Sequence, residues 1–345
     1  MRTIRCLHLI TLALLLGSPF LLGGGLPPAA QALADTFIEN PASRFAGAHE
    51  AIHPPEEAFS RLRKIYEAAG EEAVAALEST ESPTLAEELA LIGRALSREP
   101  KRVVDLQEVY GKSKPRPPRA PGTPMPMVVL PNFAPLQNEH AAAGYRLFWE
   151  AWLLVDHRTK WNPGMLLTAG EALRHIRNDR SLVVLQHYLD CYLKEIPLAL
   201  ALSHDKRRIL ESRNNDEQVR ILFMNEHIGG AQMELRWIFN TVGSFGSSPA
   251  IRFLLSNNDK AINAVLESPE CNAGSPEFRA FCGRRMDMRK DVSQALAARP
   301  FTEVGLRNKP VIEAELKRTD LPAAHREILA EALRIIHERE TGKKP

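Results

Sequence analysis

The stretch Ala172-Leu173-Arg174-His175-Ile176-Arg177-Asn178-Asp179-Arg180-Ser181-Leu182-Val183-Val184-Leu185 has a gap-free counterpart 69 residues on, Thr241-Val242-Gly243-Ser244-Phe245-Gly246-Ser247-Ser248-Pro249-Ala250-Ile251-Arg252-Phe253-Leu254. Each copy reads as an apolar helix end, a tight polar turn, and a second helix that opens with apolar residues on one face. Between them, Asn215-Asp216-Glu217-Gln218-Val219-Arg220-Ile221-Leu222 repeats Asn178 to Leu185 at an offset of 37. A helix pair of this length cannot bury its apolar side alone, whereas several stacked pairs can. The pattern predicts an all-α protein, an α-α superhelix or solenoid of helix pairs.

These residues resemble the HEAT-like helical repeats, including the short subtype first known from phycobilisome lyases. The text of that subtype runs alanine-leucine-x-x-isoleucine-glycine, a polar turn, then alanine-isoleucine-x-x-leucine. Val242-Gly243-Ser244-Phe245-Gly246 followed by Ala250-Ile251-Arg252-Phe253-Leu254 is the best copy. The resemblance spans residues 165 to 270, with weaker copies at Glu71 to Leu77 and Val311 to Leu333. It implies an architecture that presents a long surface to a protein or peptide. Metal-dependent hydroxylases built from such repeats carry several adjacent His-Glu pairs on repeat helices. Only His49-Glu50 and His337-Glu338 occur here in that order, far apart.

Composition agrees with helices. Of 345 residues, 44% are hydrophobic and 25% charged, ordinary globular values, while aromatics make only 6%. Ala, Leu, Glu and Arg dominate, and the Val and Thr clusters of a large sheet are scarce. The formal charge of +2 belongs to the first 34 residues, where Arg2 and Arg5 are the only charged side chains. The rest balances 42 basic against 42 acidic groups. A neutral chain of this kind is a poor nucleic-acid binder.

Residues 1–34 have the layout of a secretory leader. Arg2 and Arg5 form a positive n-region, Leu9 to Leu22 an apolar run, and Ala32-Leu33-Ala34 a small-x-small site before Asp35. Gly17, Ser18 and Pro19 interrupt the run, and Gly23-Gly24-Gly25 and Pro27-Pro28 follow it, so a clean membrane span is missing. The expectation is an exported protein, periplasmic or extracellular, without an integral membrane segment once the leader is gone. A helical region over 35–112 comes next, with Phe59, Leu62, Ile65 and Tyr66 in helical rhythm, a break at Gly70, and Leu77, Leu85, Leu89, Ile92 and Leu96 continuing it. Residues 113–137 form a proline-rich linker, and 138–340 the repeat domain. The last helix should be capped by Thr319 or Asp320, carry Pro322 in its first turn, bury Ile328, Leu329, Leu333 and Ile336, and close at Gly342.

Export alters the reading of the cysteines. Cys6 leaves with the leader, and Cys271 and Cys282, 11 apart across a segment containing Gly274 and Pro276, are the expected disulfide. Cys191 remains as a buried thiol.

One motif has catalytic overtones. In His49-Glu50-Ala51-Ile52-His53, an H-E-x-x-H, a helix would set both histidines on one face for zinc while Glu50 served as general base. Here the chain resembles the zincin metalloproteases over five residues only. Only 14 residues separate the expected cleavage from His49, Pro54-Pro55 stop a helix at His53, and no H-x-x-G-x-x-H extension follows. Ser203-His204-Asp205-Lys206 fits S-x-x-K but lacks the K-T-G partner, and reads as a capped helix start. Haem, dinucleotide, P-loop and nucleophile-elbow motifs do not occur.

Two stretches suggest surfaces. Tyr145, Phe148, Trp149 and Trp152 share one helix face, with Trp161 close behind, and read as the first buried face of the stack. The polar triplets Asn178-Asp179-Arg180, Asn214-Asn215-Asp216 and Asn257-Asn258-Asp259 recur at similar repeat positions. As turns they would align on one edge, giving a binding edge of Asn178, Asp179, Asn215, Asp216, Asn258 and Asp259. The functional expectation is an exported, non-enzymatic scaffold for a protein or peptide partner, without a cofactor. The alternative is a zinc-dependent hydrolase with His49 and His53 as ligands and Glu50 as base.

Overall fold

The computed structural model describes residues 25–39, 55–98, 146–147, 149–151, 153–154, 163–190, 193, 235–297 and 302–342. Among them every regular element is a helix, and the helices pack on one another in a solenoid-like, all-α arrangement. No helix among the described residues is long and apolar enough to cross a membrane.

The chain opens with α1 (Pro28–Glu39), α2 (Pro55–Ala69), the short α3 (Glu71–Ala76) with a 3-10 turn at Leu77–Ser79, and α4 (Leu85–Arg98). Pro28 suits a first turn, whose amide has no intrahelical partner in any case. The α2 rhythm is as expected: Phe59, Leu62 and Ile65 are buried, and Gly70 ends the run at φ 82, a conformation that costs glycine little. α4 starts with a capping box, in which the Thr84 hydroxyl accepts from the Glu87 amide (3.3 Å) and the Glu87 carboxylate from the Thr84 amide (2.7 Å). α2 and α4 lie so close that a Cβ on Gly93 would sit 2.1 Å from the Leu62 carbonyl oxygen.

α1 runs across the expected domain boundary at residues 34 and 35. Residues 28–34, assigned above to the leader, are the first half of this helix, and Ala30, Ala34 and Phe37 are buried where it packs on α2 and α4. Arg61 of α2 places its guanidinium over the Phe37 ring, 4.7 Å from the centroid, and donates to the Thr36 carbonyl (3.1 Å).

The two aligned stretches both run helix, four-residue turn, helix, with the turn at 177–180 in the first and at 244–247 in the second. α5 (Pro163–Ile176) ends at Arg177, φ 53, and the helical segment 235–243 ends in a turn whose Gly246 has φ 73. The second helix of each pair is then capped, by the Asn178 carboxamide accepting from the Arg180 amide (3.0 Å) and by the Ser247 hydroxyl accepting from the Ala250 amide (3.2 Å). Gly170 of α5 lies flat against the Trp237 indole, where a Cβ would meet ring atoms at 2.1 Å. The reciprocal amide pair Gln186 and Asn257 (2.8 and 2.9 Å) joins helical residues 181–190 to α6 (Ser248–Leu266).

Beyond α6 come α7 (Pro269–Asn272), α8 (Pro276–Met286), α9 (Arg289–Leu296), α10 (Thr302–Leu316) and α11 (Ala323–Glu340). Ile328, Leu329, Ala332 and Ile336 are the buried stripe of α11, Leu333 is half-buried against the core, and Gly342 closes the helix at φ 68. The expected caps are otherwise engaged. Pro322 holds the N-cap position, Asp320 receives Arg318 (2.6 and 3.0 Å), and Thr319 makes no cap. Asn308 of α10, fully buried, donates one proton to the Gly243 carbonyl (2.7 Å) and the other to the Leu296 carbonyl (2.6 Å). One side chain thus satisfies the carbonyl ends of two helices.

Candidate functional site

Among the gatherings of polar side chains in the described residues, one lines a surface groove and one is fully buried. The surface site follows from a close helix crossing. A Cβ on Gly243 would stand 2.7 Å from the Ala295 carbonyl oxygen, so glycine lets segment 235–243 touch α9. Beside that contact the same two helices line a groove of about 350 Å3 formed by Arg236, Asn240, Lys290, Asp291 and Gln294. Arg236 Nε donates to Asp291 Oδ1 (2.7 Å) across it. Asn240, Lys290 and Gln294 take no hydrogen bond or ion pair among the described residues. The groove therefore offers two free carboxamides, which can bond both donors and acceptors of a peptide backbone, beside a free ammonium.

In the interior, Glu88 of α4 and Glu150, both inaccessible to solvent, meet Arg146, Arg180 and Ser181. Arg146 Nη1 donates to Glu88 and to both Glu150 oxygens (2.8 and 2.9 Å), Ser181 donates to Glu150 Oε1 (2.7 Å), and Arg180 Nη2 to Glu88 Oε2 (3.2 Å). Arg180 also donates to the carbonyls of Leu77 (3.1 Å), Glu78 (3.0 Å) and Thr80 (2.8 Å). Side chains from before and after the expected linker thus share one buried network. Burial pushes Glu150 up to about 8; the Arg146 charge opposes this, while the Glu88 charge and hydrogen bond add to it. Burial would raise Glu88 too, but the Arg146 charge, hydrogen bonds from Glu150 and Arg146, and the Arg180 charge hold it below the usual carboxylate range. One proton shared between paired carboxylates is a familiar acid-base device, but neither group here is open to solvent. The arrangement clamps helices together instead.

The residues singled out above fall as follows. Asn178 is exposed in its turn, and Asp179 accepts from Ser247 (2.6 Å), so two repeat turns touch. Asn258 and Asp259 are corrected. Asn257-Asn258-Asp259 is no turn but mid-α6, with Asn257 and Asn258 each 1% exposed, and Asp259 meets His325 of α11 at 2.7 Å. The Asn257 amide pairs with Gln186 and bonds back to the Phe253 carbonyl (2.9 Å), which offsets the low helix propensity of asparagine. Asn215 and Asp216 lie outside the described residues, as do His49, Glu50 and His53. No group of three or more His, Cys, Asp or Glu is arranged for a metal among the described residues. Cys271 is a free, buried thiol in α7, and the side chain of Cys282, its expected partner, lies outside the described residues, as does Cys191. Trp149 is buried as the aromatic face required.

Sequence reasoning missed both polar sites. Arg236 and Asn240 stand four apart, as do Lys290 and Gln294, so each pair could be placed on one helix face, but nothing in the text says that the two faces meet. Compared with known proteins, the chain matches no family model, no curated protein and no solved structure. The fold places it in the class of all-α, solenoid-like proteins.

Proposed function

We propose that the protein is an exported, non-enzymatic helical-repeat scaffold that holds an extended peptide segment of a protein partner in the groove between residues 235–243 and α9. The observation that carries this reading is the set of unpaired side chains Asn240, Lys290 and Gln294 on the walls of one groove. Carboxamides on facing helices suit the alternating N–H and C=O groups of an extended backbone, and Lys290 suits an acidic side chain or a terminal carboxylate. The Arg236–Asp291 pair ties the two walls together without using these groups. Repeats whose turns touch, as Asp179 and Ser247 do, give such a groove a rigid frame.

Selection from a displayed library of random unstructured peptides tests the reading. Enrichment of peptides with an acidic residue, binding the chain in solution and weakened at least tenfold by Lys290→Glu with an unchanged melting temperature, is the expected result. No enrichment, or binding indifferent to Lys290→Glu and to Asn240→Ala, overturns it.

A further inference from the structure

We infer that the leader is removed at the Gly25–Leu26 bond, nine residues before a cut at the small-x-small site Ala32-Leu33-Ala34 would fall, so that α1 is part of the mature fold. The inference rests on the export reading and goes beyond it, because it assigns a processing site. A cut after Ala34 leaves only Asp35–Glu39 of α1, five residues, too few to hold a helix. It removes Ala30 and Ala34, both fully buried, and uncovers the face of α2 and α4 that they pack against. It also takes away Gln31, whose carboxamide donates to Asp35 (2.8 Å), and frees the end on which Arg61 holds Phe37 and Thr36.

A second small-x-small triplet stands at a better place. Gly23-Gly24-Gly25 directly follows the apolar run ending at Leu22, as a leader's cleavage region does. Gly25 is exposed with open space around it, and it lies just before the first turn of α1, where the Gln31 amide bonds to the Pro27 carbonyl (2.9 Å). Cleavage is hydrolysis by an endopeptidase of the leader-peptidase class. Water adds to the Gly25 carbonyl carbon, the bond to the Leu26 nitrogen breaks, the leader leaves with the Gly25 carboxylate, and Leu26 gains the free amino group.

Expression of the full chain with its own leader in a secreting bacterial host, followed by intact mass and N-terminal sequencing of the exported protein, decides the matter. The expected N-terminus is Leu26, with Gly25→Leu blocking the cut and the exposed Ala32→Leu leaving it in place without disturbing the fold. An N-terminus at Asp35 that Ala32→Leu abolishes overturns the position and leaves the export reading standing. A chain that keeps Met1 and stays in the cytosol overturns both.

Discussion

Arg177 and Gly246, 69 residues apart and aligned in the sequence, lie in two helix-to-helix turns, and both adopt the left-handed backbone, at φ 53 and φ 73. Glycine does so at little cost, whereas a residue with a Cβ gives up about 1 to 2 kcal/mol. Arg177 offsets part of this, since its amide closes α5 on the Leu173 carbonyl (2.8 Å) and its Nε donates to the Arg174 carbonyl (3.0 Å). Arg177→Gly keeps the amide bond and relieves the strain, so denaturant unfolding should show a gain of up to about 1 kcal/mol. Gly246→Ala should lose about 1 to 2 kcal/mol, because the new Cβ combines the strained φ with contacts of 3.1 and 3.2 Å to Arg307 and Asn308.

That pair also marks how far the text was readable. Helix ends and turn residues are local, so the alignment of 172–185 with 241–254 located both turns, and the spacing of Phe59, Leu62 and Ile65 located a buried face. Asn257-Asn258-Asp259 looked like a third turn because its composition is that of turns. Inside α6 the Asn257 carboxamide is instead paired with Gln186, 71 residues away, which no local window contains. The same limit hid Glu88 and Glu150, which read as ordinary helix-face charges until Arg146 and Arg180 are brought to them in space. Ala30 to Ala34 show the reverse case. Small residues suit both a leader's cut site and a tightly packed helix face, and the packing of this segment on α2 and α4 lies outside any local window of sequence.

Asn308 supports two helix ends at once. Its truncation to alanine leaves the Gly243 and Leu296 carbonyls without their donor in a fully buried place. Each such loss costs about 1 to 3 kcal/mol, so Asn308→Ala should destabilise the chain by at least about 2 kcal/mol. Asn308→Asp should do no better, since its carboxylate offers an acceptor where two donors are needed. Urea titration followed by circular dichroism checks both.

Metal content separates the scaffold from the hydrolase. The purified, untagged chain should hold far less than one zinc per molecule, and the His49→Ala, His53→Ala double variant should hold the same amount. Near-stoichiometric zinc that disappears in the double variant would put the hydrolase with Glu50 as base in front, because two histidines four apart on a helix are a natural zinc pair. Atomic absorption after exhaustive dialysis reads the difference.

Glu150 makes stability depend on pH in a definite direction. In the folded chain it keeps its proton up to about pH 8, while the unfolded chain releases it near the ordinary glutamate value of 4.5. Between those limits the folded state binds more protons than the unfolded, so stability present below about pH 4.5 is lost as pH rises toward 8. Glu88 acts oppositely, since its lowered value contributes stability above the ordinary carboxylate range that disappears only on acidification. From pH 5 to 8 Glu88 stays ionised, and the Glu150 trend is its own. The melting temperature should therefore fall across that interval. Glu150→Gln keeps an acceptor for Arg146 and Ser181 and cannot ionise, so it should flatten the curve and melt above the parent chain at pH 8. Arg146→Met should lower the melting temperature from pH 5 to 8, because it strands ionised Glu88 in the interior without its nearest positive charge.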